Sequence, residues 1–426
     1  MLHRSIGRRQ FLKGTGGYVL ASSDFGSFVR ASRGSEAVVS TRFLPAKAVT
    51  RGPKHHFFGY YDKCPWDRTG RYVLAMEIDF CDRQPNPGEP LTVGMVDLKD
   101  DRRYIPLDRT LAWCWQQGTM LQWLGSAPDR EIIYNAFENG QYLSIIRDVH
   151  SGRTRRLPRP IYAVSRDGTQ AVSLDFDRLG RTRPGYGYVA GPEKYKDVAA
   201  PEKAGIYWMD LKTGRNEQVV SIAWAAANKP LESFGGSAHH WFNHLQFNPS
   251  GTRFLFLHRW GDAGRRWGTR LYTAKPDGTD LRLIVDTGMV SHFDWRDDET
   301  ILAWANNTER KARFFLIHAL TGKTQVVGEG ILTQDGHCSY SPDRKWILND
   351  TYPDKQRMQT LMLFRVADGR RIDVGRFYLP PKLTGPFRVD LHPRWNRDGS
   401  QVCIDSAHEE PTRQMYVIDV SPITKA

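Results

Sequence analysis

A histidine recurs at the same place in a phrase that the chain repeats four times. In each copy it precedes a short β-prone run, which ends in a turn rich in Asp, Gly or Pro and is followed by an alternating strand. The copies read NHLQFNPSG, SHFDWRDDE, GHCSYSPDR and LHPRWNRDG, and their histidines are His244, His292, His337 and His392. Imidazole binds transition metals and moves protons near neutral pH. Four imidazoles in equivalent positions therefore predict one shared site.

A carboxylate accompanies the last of these histidines. Asp390 lies two residues before His392, and His55 or His56, from the stretch HHFFGYYDKCPWD, could join the group. Several imidazoles with a carboxylate suit a divalent transition metal such as Mn, Zn or Fe. The alternative interpretation is that each histidine only hydrogen-bonds backbone between strands.

Arginines and tyrosines form a second group of candidates. They lie at the ends of repeated strands (Arg259, Tyr352 and His408, with Asp350 beside Tyr352) and in a long loop (Arg181, Arg183, Tyr186 and Tyr188). Arginine and tyrosine suit a ligand that carries carboxylate or sulfate. No serine- or cysteine-hydrolase motif, HExxH or P-loop is present. Taken singly, each residue is equally well read as an ordinary solvated loop residue.

The elements that must position these residues are short strands separated by seven turns. The turns lie at residues 67–70, 128–130, 166–168, 249–251, 297–299, 342–344 and 397–399. About four strands accompany each turn, which predicts an all-β, seven-bladed β-propeller over residues 41–423, with a long loop insertion near 178–205. The last unit lacks its fourth strand, and we expect the segment 41–49 to supply it. The repeated histidines would then meet at the mouth of the central channel.

The net charge and the N-terminal residues indicate the kind of ligand and the cellular location. The formal net charge is +13, with 60 Lys and Arg against 47 Asp and Glu, which favours an acidic ligand. The basic residues are dispersed among acids, so we expect no nucleic-acid partner. Residues 1–35 contain Arg8-Arg9 before a weakly apolar stretch, which is typical of a twin-arginine export signal. We therefore expect recognition by the twin-arginine translocase, a periplasmic or secreted location, and no membrane span.

Several phrases resemble one enzyme family. VDLHPRW, GHCSYSPD, SHFDW and DSAHEEPTRQMYVIDV resemble the oligogalacturonate lyases, which are seven-bladed propellers, and more loosely other propeller lyases that act on uronates. The architecture matches over residues 54–420, and the specific motifs lie between His244 and His408. In that family histidines and a glutamine of the last blades hold a metal, which implies His337 and His392 as ligands, with Asp390 beside them. This chain has Val389 at the glutamine position and Arg394 at that of a second histidine.

The resemblance implies β-elimination on a uronate-containing oligosaccharide or polysaccharide. A base removes the C5 proton, a cation neutralises the neighbouring carboxylate, and an acid protonates the departing O4. By motif, His292 occupies the position of the catalytic histidine. The candidate residues are His292 or His244 as base, Arg259 or Arg394 at the carboxylate, Tyr188 or Tyr352 as acid, and Arg183, Tyr186, Tyr352, Arg394 and His408 as substrate contacts.

Two other functions stay open at this point. A non-catalytic propeller that binds a glycan or a protein would share the fold and the charge. A different propeller enzyme, such as a hydrolase or a metal-dependent oxidoreductase, would keep the metal and give saturated or oxidised products.

Overall fold

A computed structural model describes residues 38–228, 238–262, 266–409 and 412–426. Seven β-sheets contain nearly all of the regular structure, and apart from two short N-terminal strands each consists of strands that are close together in the sequence. The prediction of an all-β, seven-bladed propeller is confirmed. The predicted export signal at residues 1–35 lies outside the described residues. No described helix is both long and apolar enough to cross a membrane.

The first three blades each have four antiparallel strands in sequence order from the channel outward. Blade 1 contains β3 (His55–Phe57), β4 (Tyr72–Ile78), β5 (Leu91–Asp97) and β6 (Arg103–Thr110). Blade 2 contains β7 (Gln122–Trp123), β8 (Glu131–Glu138), β9 (Gln141–Asp148) and β10 (Thr154–Leu157). Blade 3 contains β11 (Ala163–Val164), β12 (Gln170–Ser173), β13 (Gly205–Asp210) and β14 (Asn216–Ser221).

The remaining blades repeat this order. Blade 4 contains β15 (His239–Phe247), β16 (Phe254–Gly261), β17 (Trp267–Ala274) and β18 (Arg282–Gly288). Blade 5 contains β19 (Val290–Trp295), β20 (Thr300–Asn306), β21 (Ala312–His318) and β22 (Thr324–Val327). Blade 6 contains β23 (Ser339–Tyr340), β24 (Trp346–Asn349), β25 (Met358–Arg365) and β26 (Arg371–Tyr378). Blade 7 contains β27 (Arg394–Trp395), β28 (Gln401–Ser406) and β29 (Gln414–Asp419).

The N-terminal segment completes the ring, as the missing fourth strand predicts. Strand β2 (Ala46–Ala48) pairs antiparallel with β29 and becomes the outer strand of blade 7. Strand β1 (Val39–Thr41) pairs parallel with β26 instead, as a fifth strand of blade 6. The predicted closing strand is therefore correct, and the same segment also extends the neighbouring blade.

All seven predicted turns connect the innermost strand of a blade to its second strand. In the last of them Gly399 has a φ of 72°, and the Asp398 carboxylate accepts a hydrogen bond from the Ser400 backbone N–H at 3.0 Å. Glycine tolerates this left-handed conformation and aspartate closes the turn locally. The register of each blade is thus fixed by its own sequence.

Tryptophans join the innermost strands of neighbouring blades. The indole nitrogens of Trp123, Trp295 and Trp395 donate to the backbone oxygens of Pro65, Gln246 and Ser339, at 2.9, 3.2 and 3.5 Å. Each acceptor belongs to the preceding blade. These bonds couple the blades around the channel while the rings stay buried.

The innermost strand of blade 1 makes an excursion into the channel. Strand β3 pairs with β4 at Phe57, pairing resumes at Trp66 opposite Val73, and the residues between them leave the sheet. Gly59 lies in this excursion with a φ of 114°, and an added Cβ would come within 2.9 Å of the Gln117 backbone. The excursion carries two consecutive tyrosines, Tyr60 and Tyr61, to the channel axis.

The predicted loop near 178–205 begins with a helix. Helix α1 (Phe176–Thr182) follows β12, and α2 (Ile222–Ala227) follows β14. Two short elements lie near the C-terminus, a 3-10 helix (Gly385–Phe387) and α3 (Ser421–Thr424). Arg178 of α1 is buried and donates to Glu193 and to the backbone oxygens of His240, Tyr195, Val198 and Ala199. One side chain therefore fixes the insertion against blade 4.

Candidate functional site

The four repeated histidines converge at one end of the channel. Their ring centroids are 4.1 Å apart for His292 and His337, and 4.3 Å apart for His337 and His392. Tyr60 joins His244 to this group, because its ring stacks on His244 at 5.0 Å and meets the edge of His392 at 5.0 Å. All four histidines are buried. Convergence from blades 4 to 7 agrees with the geometry expected from the repeats.

Equivalent backbone positions explain this convergence. Each histidine lies three residues before the last aromatic residue of its innermost strand, and the strands of blades 4 and 5 have an irregular register at this point. His244 and His392 have positive φ values of 49° and 41°. Such a conformation costs a non-glycine residue on the order of 1 kcal/mol, and outside turns it tends to cluster at functional sites.

Carboxylates orient two of the histidines. His292 Nδ1 lies 2.9 Å from an Asp335 carboxylate oxygen, and His337 Nδ1 lies 3.0 Å from both oxygens of Asp350. Burial lowers the pKa of His292 below its ordinary value, against the opposing effect of Asp335. Burial also opposes protonation of His337, but Asp350 outweighs it and raises that pKa. A proton held on Nδ1 leaves Nε2 of each ring available for chemistry.

His337, Asp390 and His392 could together hold a metal ion. One ligand atom from each lies within 4.8 Å of the others, and all three residues are buried. His337 Nε2 and both nitrogens of His392 have no hydrogen-bond partner. Burial holds the pKa of His392 well below its ordinary value, so its imidazole is neutral. Two imidazoles and a carboxylate fit a divalent transition metal, although Asp390 also pairs with Arg388 at 2.8 Å.

Two arginines, the buried Arg259 and the half-buried Arg183, lie on the blade 4 side of the histidines. The guanidinium groups of Arg183 and Arg259 lie 4.5 and 5.7 Å from the centre of the Trp267 ring. Neither forms an ion pair within the described part of the chain, and Arg183 Nε and Arg259 Nε and Nη1 have no acceptor. Burial, and then the charge of Arg183, lowers the pKa of Arg259 to about 10. Two neighbouring cations without an ion-pair partner, one of them buried, are suited to a carboxylate ligand.

Arg388 and two tyrosines form the other side of the site. Arg388 donates to the Tyr186 hydroxyl at 3.0 Å, and its guanidinium lies 5.6 Å from the centre of the Tyr352 ring. Tyr352 is 37% exposed, with its ring 6.1 Å from that of His292. The phenol of Tyr352 is therefore open to solvent beside the histidines.

Five of the predicted residues are placed away from this site. Tyr188 stacks on Phe176 at 4.2 Å, and its hydroxyl accepts from Asn135. Arg394 is 1% exposed, pairs with Asp405 at 3.0 Å, and donates to Gly59 and Tyr60 backbone oxygens. His408 packs between Phe377 and Tyr416. His56 lies between Gln414 and Glu77, and His55 accepts from the Arg413 backbone.

These positions require corrections to the expected roles. The donors of Arg394 are occupied by Asp405 of blade 7 and by the Gly59 and Tyr60 backbone oxygens of the blade 1 excursion. Tyr188 belongs to the core of blades 2 and 3. From the stretch HHFFGYYDKCPWD the tyrosines, and not the histidines, reach the channel. Arg181 pairs with Glu193 within the insertion.

The residues that sequence reasoning missed are Tyr60, Tyr61, Asp335 and Arg388. Asp335 could have been predicted from the sequence, because it precedes His337 by two residues, as Asp390 precedes His392. Tyr61 donates to the Phe293 backbone oxygen at 2.8 Å, in blade 5. Nothing in the local sequence indicates that tyrosines of blade 1 contact blades 4 to 7.

The fold is similar to solved structures of oligogalacturonate lyases. One, from Vibrio parahaemolyticus, is 12% identical and has a TM-score of 0.63, with coverage of 90% of this chain and 96% of that chain. Another, an oligogalacturonate lyase in complex with manganese, is 14% identical with a TM-score of 0.64, and coverage is 90% and 98%. No protein-family model and no curated protein matches the chain. At this identity the similarity establishes the propeller fold alone.

Proposed function

We propose that this protein is a lyase that cleaves a uronate-containing oligosaccharide or polysaccharide by β-elimination. The observation that carries the proposal is one cluster of histidines that has His292, with Asp335 on its Nδ1, at one side and two arginines without an ion-pair partner beside His244. A base beside a carboxylate-binding group is what abstraction of a proton next to a carboxylate needs. The manganese complex of a protein with the same fold is consistent with it.

Arg183 and Arg259 bind the uronate carboxylate at the reacting sugar. Both lie against Trp267, and because Arg259 is buried its charge is weakly screened, so it stabilises the extra negative charge that develops when the C5 proton leaves.

His292 Nε2 takes the C5 proton, since its Nδ1 faces Asp335. The low pKa that burial produces keeps the imidazole neutral and ready to accept a proton. Tyr352, half-exposed beside His292, donates a proton to the departing O4. The C4–O bond breaks as the C4–C5 double bond forms, and no water is consumed.

His337, His392 and Asp390 would hold a divalent cation such as Mn or Zn. Such an ion, when bound, supplies positive charge that makes the proton beside a carboxylate more acidic. The orphaned imidazole nitrogens support this assignment. The twin-arginine signal stays a prediction, and it agrees with an anionic glycan met in the periplasm or outside the cell.

The test is ultraviolet absorbance of the protein with uronate-containing oligosaccharides, in the presence and absence of Mn²⁺ or Zn²⁺. We expect absorbance from new 4,5-unsaturated ends. Binding of these oligosaccharides without any absorbance change, by folded and metal-loaded protein, would favour a non-catalytic glycan-binding propeller.

A further inference from the structure

A tight turn between blades 1 and 2 reaches the histidine site. The backbone groups of Cys114 and Gly118 bond each other in both directions, at 3.1 and 2.9 Å, and close the turn. Gln116 and Gln117 lie between them and are 0% and 2% exposed. The Gln117 amide nitrogen lies 3.4 Å from His244 Nδ1, which places the turn at the channel mouth. Buried side-chain amides are normally fixed by hydrogen bonds, and those of Gln116 lead across the mouth.

Gln116 joins two loops that come from distant parts of the ring. Its side-chain nitrogen donates to the backbone oxygens of Pro386 and Arg388, at 3.0 and 3.1 Å, in the connection between blades 6 and 7. Its backbone N–H donates to the Gly185 oxygen at 3.0 Å, in the insertion of blade 3. Carbonyl oxygens only accept hydrogen bonds, so the side-chain nitrogen of Gln116 must face them. The orientation of this amide is therefore determined by its surroundings.

The two loops also contact each other. Gly185 has a φ of 91°, and an added Cβ would lie 2.7 Å from the Pro386 backbone oxygen. Glycine is the residue that allows so close an approach of two chain segments. Arg388 donates to the Tyr186 hydroxyl at 3.0 Å. The loops therefore form one wall of the site, and Gln116 is bonded to both halves of it.

This wall carries a residue that the proposed reaction uses. Tyr186 donates its backbone N–H to the Arg183 backbone oxygen at 3.1 Å, and the Arg183 guanidinium lies 4.8 Å from the centre of the Tyr186 ring. A chain of contacts thus connects Gln116, through Arg388 and Tyr186, to a carboxylate-binding arginine. None of the hydrogen bonds that Gln116 forms with the described residues goes to His292. Gln116 is therefore linked to substrate binding and not to the base.

We propose that Gln116 is a positioning residue, which holds the insertion against the connection between blades 6 and 7 so that Arg183 faces the substrate. The inference rests on the proposed function, which assigns Arg183 to the uronate carboxylate. Gln116 itself touches neither the substrate nor the base. Its loss should therefore weaken binding and raise KM, while proton transfer to His292, and with it kcat, changes little.

Gln116→Met tests this, because methionine has a similar size and cannot donate to the two backbone oxygens. In steady-state elimination kinetics with digalacturonate, we expect KM to rise about tenfold and kcat to stay within about threefold of wild type. Gly185→Ala pushes the same two loops apart and should give the same split. Gln170→Met is the matched control, since Gln170 donates to the Gly251 backbone oxygen at 3.0 Å at the opposite end of the blades. It should keep the wild-type KM and kcat.

Titration calorimetry with digalacturonate gives the same comparison from dissociation constants, in a His292→Ala background that removes turnover. Binding and elimination are thereby measured separately. Absence of unsaturated product from the wild-type protein would refute the proposed reaction, and the dissociation constants would still test Gln116. Unfolding midpoints show whether each variant keeps its fold, and Gly185→Ala decides the question if Gln116→Met does not.

The role of Gln116 would be overturned by wild-type KM and Kd in Gln116→Met and Gly185→Ala, or by a fall in kcat as large as the rise in KM. It would also be overturned if Gln116→Met weakened binding by the Arg183→Met variant a further tenfold, since Gln116 would then act through another group. Failure of the His292→Ala protein to bind digalacturonate would have the same consequence.

Discussion

Replacement of His292 by alanine tests the proposed base directly. General-base catalysis contributes about 10²- to 10⁴-fold to a rate, so turnover by His292→Ala should fall by about that factor. In the proposed mechanism Asp335 acts through His292, because its carboxylate accepts from His292 Nδ1 at 2.9 Å. Asp335→Asn keeps a hydrogen-bond acceptor for His292 but removes the negative charge. The interaction should weaken by on the order of 1 kcal/mol, so turnover should slow about fivefold.

A double-mutant cycle separates this mechanism from general damage. If Asp335 works by orienting His292, Asp335→Asn should have no further effect once His292 is alanine. His258→Ala is the control, since His258 is similarly buried but pairs with His240 inside blade 4. Initial rates of unsaturated product are measured for all five proteins, with unfolding midpoints to compare stability.

The reasoning would be refuted by turnover in His292→Ala within about tenfold of wild type. It would equally be refuted if Asp335→Asn slowed the His292→Ala variant further, since the carboxylate would then act on the substrate or on another group. Equal losses in His292→Ala and His258→Ala would indicate that stability, and not proton transfer, limits both.

Three further predictions concern other parts of the molecule. Arg259→Met should reduce kcat/KM for uronate substrates about 10²-fold by removing a carboxylate contact, and retention of the wild-type value in steady-state kinetics would exclude that role. His392→Ala should lose Mn²⁺ or Zn²⁺ binding by titration calorimetry, and unchanged stoichiometry would place the metal elsewhere. Burial raises the pKa of Asp175 to about 7 from an ordinary value of 3.8. The buried carboxyl is neutral at low pH and must ionise as pH rises from about 4 to 7. The free energy of unfolding should therefore fall over this range, by on the order of 2–4 kcal/mol. Asp175→Asn should be more stable than wild type at pH 8 and similar at pH 4; equal denaturant midpoints at both pH values would contradict this.

The sequence was informative wherever one blade repeats another. The seven turns are local, so Asp, Gly and Pro determine them without reference to distant residues. The histidines could be grouped because equivalent positions of successive blades meet at the channel, whatever else the blades contain. The repeats therefore predict the fold and the convergence of His244, His292, His337 and His392.

The rest of the site depends on contacts that no repeat predicts. Tyr60 and Tyr61 reach the histidines because blade 1 leaves its sheet, and Arg388 meets Tyr186 because a helix-led insertion folds back over the channel mouth. Arg394 is the opposite case, a residue that the sequence assigns to the site and the structure places elsewhere. It lies next to a site motif in sequence, yet alternation along the strand turns its guanidinium into blade 7 toward Asp405.

The pairing of the first described strands with the last ones has a consequence for biogenesis. Among the described strands β1 and β2 leave the ribosome first, yet their partners β26 and β29 belong to the last two blades. The ring therefore cannot close during synthesis, and its first strands must remain unpaired until the chain is nearly complete. Closing so long a loop costs conformational entropy, but this cost increases only slowly with the length of the loop. A truncation that removes β29 would leave two exposed edges in blade 7, where one chain could associate with another.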